Sequence, residues 1–314
     1  MATKSTNTQG NPYHDEATGE FTSADGASSK EAAIQPNGQT AQKPKLRFKL
    51  NANVQDIRDN LSRSKQVSSI PMLWSARDID DRIEEFLPES VVKSVDSYFG
   101  KFSTPYKYFN LRTDPDQHCG VNIFAACIGK KRWANNYMKL IDQAEYDRLT
   151  ANGRFRKLWR GLTGKSHEHC VLIADSYSSV ENEMIYGSTG GTCYGIAVYA
   201  SSYYNTAKGY ANSRPENVMT LALDTGGRTM PYRSICKIRD DLASRKDSIV
   251  QRVEKVFLNN GIEPSRAANM ARSFGITLGD EGFVAMLCGV EWYTDNDDYH
   301  MIENIGRVCR LRGF

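Results

Sequence analysis

The first combination of residues in this chain able to do chemistry is Trp159-Arg160-Gly161-Leu162. A guanidinium is planar and permanently charged, and its fork matches two phosphate oxygens with parallel hydrogen bonds. A second stretch, Gly190-Gly-Thr-Cys-Tyr-Gly-Ile-Ala-Val-Tyr-Ala-Ser201, runs on into Ser202-Tyr-Tyr-Asn-Thr-Ala-Lys-Gly-Tyr-Ala211. Gly191 and Gly195 would let backbone pass close to a ligand. Tyr194 and Tyr199 carry aromatic rings, and Ser201 or Ser202 has the right oxygen to cap a helix that follows. The third group is a set of late carboxylates. Asp280-Glu-Gly-Phe-Val-Ala-Met-Leu-Cys-Gly-Val-Glu-Trp292 carries Glu281 and Glu291, and Asp298-Tyr-His-Met-Ile-Glu-Asn304 carries Glu303. A carboxylate held beside a developing positive charge stabilises a transition state more than its ground state. Taken singly, each group also fits a plain turn, a core strand or a solvated surface charge. His167-Glu-His-Cys170 has metal-ligating residue types without a tetrahedral ligand spacing, and reads as a polar loop or helix start.

The elements that would position these groups follow from local pattern. Lys157–Gly161 and Val218–Leu223 read as short strands, with Ala207 and Tyr210 on the inward side of a helix between them. Ile249, Val250, Val253, Val256 and Phe257 share a helical face that stops near Asn260-Gly261. Asp280 caps a short helix through Leu287, with Gly289 as its stop. Tyr299–Ile302 and Arg307–Leu311 read as two closing strands. Upstream, apolar positions from Ile79 to Val95 fall at helical spacing, broken at Pro88 and stopped at Gly100. A further helix is expected over Ala134–Leu149 before an Asn152-Gly153 turn. Lys130-Lys-Arg-Trp133 reads as a solvated helix start. Residues 1–45 are nearly devoid of large aliphatic side chains and read as a flexible tail. The predicted organisation is therefore a tail over 1–45, a helical region over 46–150 and an α+β domain over 151–314.

The three chemical blocks, in this order, resemble an ADP-ribosyltransferase of the kind found in or beside phage minor head proteins. Trp159-Arg160-Gly161 is similar to the aromatic-Arg-Gly that ends the family's first strand. The glycine-tyrosine stretch is similar to its Tyr-Gly-x-x-x-Tyr-x-Ser unit, and the late blocks to its C-terminal signature. Cys288-Gly-Val-Glu291 stands where that signature has Gly-Tyr-Asp, Asn304 matches its asparagine, and Ile305 replaces its arginine. The resemblance covers about residues 140–314. It implies a split β-sheet core and transfer of ADP-ribose from NAD to an acceptor, with nicotinamide released. In that scheme Glu291 is the catalytic acid, with Glu303 and Glu281 as alternatives. Arg160 and Gly161 hold the pyrophosphate, while Gly191, Tyr194, Gly195 and Tyr199 form the NAD cradle. Ser201 orients the acid or the cofactor. The string Asn11-Pro-Tyr-His-Asp-Glu-Ala-Thr-Gly-Glu-Phe-Thr-Ser23 also resembles a segment near the N-terminus of phage head and portal-associated proteins. The implied partners are a host protein acceptor and components of a phage particle, and the implied location is the virion or the host cytoplasm. Two further readings stay open: an NAD glycohydrolase, and a catalytically inactive virion structural or adaptor protein.

Bulk properties narrow the choice. The 314 residues carry a net charge of +3, which offers no electrostatic case for nucleic acid or membrane partners. No apolar run approaches the roughly 18 residues of a membrane span, and the first residues lack the apolar region of a secretory signal. Seven cysteines, an odd number with no Cys-x-x-Cys pair, argue against a disulfide framework or zinc ribbon. Several sit in apolar runs, as small buried hydrophobes do.

Overall fold

A computed structural model describes residues 71–101, 120–133, 137–164, 166–178, 195–295 and 298–313. The proposed tail over 1–45, and Gly191 and Tyr194 of the glycine-tyrosine stretch, lie outside them. The described residues form a mixed α and β structure: a seven-stranded mixed sheet and ten α-helices. The strands are β1 (Lys139–Ile141), β2 (Phe155–Gly161), β3 (Val198–Ser201), β4 (Val218–Asp224), β5 (Trp292–Thr294), β6 (Tyr299–Ile302) and β7 (Val308–Leu311), in the spatial order β1-β7-β4-β2-β3-β6-β5. Only β1 and β7 run parallel. None of the described helices is long and apolar enough to cross a membrane.

Both faces of the sheet are covered, because strand side chains alternate between them. On one face, Leu158, Val198, Ala200, Met219, Leu221, Ile302 and Val308 pack against Cys170, Ala174 and Tyr177 of one helix, His167–Tyr177. On the other, Ala197, Tyr293 and Met301 join a larger core built from the helices Ala76–Asp81, Glu89–Lys101, Gly120–Arg132, Tyr232–Ala243, Lys246–Asn259, Pro264–Thr277 and Glu281–Cys288. The early helices therefore share one apolar core with the late ones. A short helix, Gln143–Thr150, covers Phe155 and Ala222. Another, Tyr204–Tyr210, lays Ala207 over Trp159 and Val218.

The strands and helices read from the late sequence recur closely in the structure. Asp280 caps its helix by accepting from the Phe283 amide, and Gly289 ends it with φ +80°. The upstream half differs in three places. Gly100 does not stop its helix, which continues to Lys101; a Cβ there would meet the Arg266 guanidinium at 2.9 Å, so the glycine makes room for that side chain. Within Ala134–Leu149, Lys139–Ile141 is a strand and the helix starts only after Asp142, whose carboxylate accepts from the Glu145 amide. Pairing with β7, more than 160 residues away in sequence, overrides the local helical pattern there. Lys130-Lys-Arg-Trp133 closes a helix rather than opening one, with Arg132 and Trp133 buried. Positive charge suits that end, where the helix dipole is negative.

Candidate functional site

Arg160 sits at the weakest seam of the sheet. β2 pairs with β4 along its whole length, from Phe155 opposite Asp224 to Gly161 opposite Val218. With β3 it shares a single ladder pair, Trp159 opposite Ser201. Beyond that pair the Arg160 side chain bridges the two strands. One terminal nitrogen donates to the Tyr199 carbonyl oxygen at 2.6 Å and the other to the Tyr177 hydroxyl at 3.1 Å, with the guanidinium 5.5 Å from the Tyr177 ring centroid. The Nε–H is buried with no partner among the described residues. A guanidinium has five donor hydrogens, so these two bonds leave donor capacity at the seam.

Two glycines are fixed by close packing. A Cβ on Gly161 would stand 2.0 Å from the Ala207 carbonyl oxygen, so the helix Tyr204–Tyr210 rests directly on the backbone at the end of β2. Gly195 has φ +85°, and a Cβ there would lie 2.1 Å from the Gly282 amide. Gly282 in turn abuts the Ile196 carbonyl. The chain leading into β3 is thereby locked onto the start of the helix Glu281–Cys288. Asp280 completes the lock by accepting from the Ile196 amide at 2.9 Å. Enclosure raises the Asp280 carboxyl above the usual carboxylate range, to about 6, against the lowering effect of those amide bonds. Tyr199 donates its hydroxyl to the Gly195 carbonyl and packs, half-buried, against the larger core.

Ser201 holds a carboxylate that the sequence reading passed over. Its hydroxyl lies against Oδ1 of Asp298, and Thr206 donates to Oδ2 at 3.2 Å. The Ser202 amide donates to the Asp298 carbonyl at 2.8 Å, fixing the backbone on which that carboxylate rides. Asp298 immediately precedes β6 and is half-buried. Ser201 also accepts from the Tyr203 amide at 2.9 Å, but neither serine caps the helix Tyr204–Tyr210; its first residue follows Tyr203, which makes no side-chain cap bond. Because Trp159 lies opposite Ser201, these two share a face, and Arg160 leaves the other. Arg160 and the Ser201–Asp298 pair thus flank the β2–β3 seam from opposite faces.

The three glutamates read as candidate acids each have protein partners of their own. Glu291 is buried and its oxygens are fully engaged. Oε1 accepts from Asn304 Nδ2 at 2.8 Å and from Arg307 Nε at 3.0 Å; Oε2 accepts from the Arg228 amide at 2.8 Å and from the second Arg307 nitrogen at 2.9 Å. Arg307 also donates to Asp224 at 3.0 Å, and Arg154 reaches the same carboxylate at 3.3 Å. Burial opposes the charge on Arg307, yet the bonds to Glu291 and the charge of Asp224 raise its pKa on balance. The residues of the late signature, Glu291 and Asn304, therefore tie the start of β5 to the end of β6 and the start of β7. Glu281 pairs with Arg239. Glu303 is buried at the end of β6, its amide bonded to the Glu291 carbonyl.

No group of three or more potential metal ligands occurs among the described residues. His167 starts its helix with Nδ1 2.9 Å from Asn217 Oδ1, and Cys170 is buried in the core behind Arg160. Set against protein-family models, curated proteins and solved structures, the chain matches none. Asp298 escaped the sequence reading because its link to Ser201 spans 97 residues. The one local signal was its position just before the strand Tyr299–Ile302, directly after Asp295-Asn-Asp297.

Proposed function

We propose that the chain is an NAD-dependent ADP-ribosyltransferase on a split-sheet core of that family's type, with its working elements within residues 151–314. The observation that carries this reading is the bond from Ser201 to Asp298 at the one sparsely paired seam of the sheet, with Arg160 on the neighbouring strand. The resemblance implied a serine that supports the catalytic acid, and Asp298 is the carboxylate this serine supports. It takes the role in place of Glu291, whose oxygens are saturated inside a buried ion pair.

In this mechanism Arg160 binds the NAD pyrophosphate with the donors left after its bonds to Tyr199 and Tyr177. Asp298, held on both oxygens by Ser201 and Thr206, faces the positive charge that develops on the ribose as the bond to nicotinamide breaks. Its two hydroxyl partners keep the carboxylate in one orientation, so little reorganisation is needed during the reaction. The acceptor is a host protein, met in the host cytoplasm or delivered with the phage particle. The test is incubation with labelled NAD and host lysate: label becomes attached to a macromolecule, and D298N abolishes the attachment. Label that stays as free ADP-ribose would make the protein a glycohydrolase.

A second reading, an inert virion adaptor, is favoured by one observation. Arg160 and Asp298 leave opposite faces of the sheet, so a dinucleotide touching both must lie in the seam itself. Calorimetry showing no binding of NAD would decide for the adaptor.

A further inference from the structure

Arg160's face of the seam carries a second serine, Ser202, with its own base. Its hydroxyl oxygen lies 2.8 Å from Nε2 of His300. His300 pairs with Ala200 across β3 and β6, is fully buried, and its ring stands 6.0 Å from that of Trp292. A guanidine nitrogen of Arg156 approaches the same Nε2 at 3.5 Å. In the tautomer with Nε2 unprotonated, the Ser202 hydroxyl donates to the imidazole across that 2.8 Å contact, which is the arrangement of a nucleophile and its general base. Arg156 and Arg160 are on one strand, four residues apart, and leave the same face. Arg156 is exposed and Ser202 half-buried, so this arrangement is open to solvent at one side.

We propose that Ser202 is a site of self-modification, accepting ADP-ribose from NAD with His300 as its base. The inference rests on the transferase reading and adds an acceptor to it. Ser202 follows directly after the serine that holds Asp298, and it faces the seam from Arg160's side. A ribose seated in the seam then has the carboxylate on one side and a nucleophile on the other. In the step, the Ser202 Oγ forms a bond to C1′ of the nicotinamide ribose while the C1′–N bond breaks. The electron pair of that bond leaves with nicotinamide, which becomes neutral. The hydroxyl proton passes to His300 Nε2, and from the imidazolium to water.

The experiment incubates the full-length protein with NAD alone and follows nicotinamide release, intact mass and the modified peptide. The expected result is a mass gain of one ADP-ribose on the peptide containing Ser202. S202A loses that adduct and S202T, which keeps a hydroxyl, retains part of it. H300N slows adduct formation by about 10²-fold or more, the usual contribution of a general base, with thermal melts confirming that each variant is folded. Nicotinamide release without a mass gain, an adduct that maps to another residue, or an undiminished adduct in S202A overturns the inference and leaves the transferase reading standing. Absence of nicotinamide release from the wild-type protein with NAD alone overturns the inference, and the transferase reading falls with it only if labelled NAD also leaves every host-lysate macromolecule unlabelled.

Discussion

Two clusters of carboxylate and guanidinium lie in the same sheet and are built to opposite ends. Around Glu291, the bidentate contact with Arg307, the Asn304 amide, the Arg228 amide and the Asp224–Arg154 pair satisfy both charges inside the protein. Along the β2–β3 seam, Arg160 keeps donor hydrogens in reserve and Asp298 is half-buried on two hydroxyls. The comparison shows that the acidity of a residue in a motif says little about its role; what matters is whether its partners exhaust it. A saturated buried pair helps to specify a fold, whereas a half-buried carboxylate oriented by hydroxyls stays within reach of a ligand.

The sharpest way to break this contrast is to remove one charge from each cluster. E291Q leaves Arg307 beside a neutral amide with Asp224 as its remaining carboxylate, so the loss is expected to fall below about 3–5 kcal/mol, the cost of a fully orphaned buried charge. Chemical denaturation is expected to show that loss; an E291Q protein as stable as the parent and unable to transfer ADP-ribose would return the catalytic role to Glu291. D298N is expected to do the reverse. The melt stays close to that of the parent, while kcat for transfer falls by about 10²–10³, the range for losing one preorganised electrostatic group. A D298N enzyme of normal rate would dissolve the proposed site.

A smaller effect sharpens the Arg160 side. Lysine preserves the charge in R160K but not the planar fork that reaches Tyr199 and Tyr177 together. The expected outcome is a rise in KM for NAD of about tenfold, in line with one lost charged hydrogen bond, with kcat reduced less. Steady-state kinetics distinguishes this from a defect in chemistry, in which kcat would fall and KM would hold.

How much of this was legible in sequence depends on the range of the interaction involved. Asp280, Gly289, the Gly261 stop and the β2 and β4 strands were readable because caps and alternation act within a few residues. The strand Lys139–Ile141 was not, since its identity comes from β7 at the other end of the domain. Gly195 was read as a place where backbone passes close to a ligand and Gly161 as a partner of Arg160 on the pyrophosphate, whereas what approaches both in the structure is protein backbone. The proposed acid moves from Glu291 to Asp298 for a related reason. Glu291 belongs to a local signature, and Asn304 and Arg307, its partners, lie only 13 and 16 residues on. Asp298 acquires its meaning from a serine 97 residues earlier, and no spacing rule spans that distance.

The smallest expected effect tests the lock behind the seam. Asp280 is the hinge of that lock, bonded to the Ile196 and Phe283 amides, and its carboxyl is raised to about 6 by enclosure. A carboxyl raised on folding binds its proton more tightly in the folded than in the unfolded chain. Its contribution to stability is therefore complete below the unfolded value near 4 and fades as pH climbs through about 6. Allowing for the partial exposure of the residue, the loss between pH 4 and pH 7 is roughly 2 kcal/mol. Asparagine keeps an oxygen that can cap the helix and lacks the titration. The difference in denaturation free energy between the parent and D280N, measured across that window, cancels every carboxylate the two share. The parent should lose ground to D280N as pH rises. A difference that stays flat would mean that Asp280 is charged throughout, and that the start of β3 is pinned by an ionised cap of the same kind as the exposed Glu263, which caps Pro264–Thr277 and whose pKa is lowered by the Ser265 hydroxyl and the amides it accepts from.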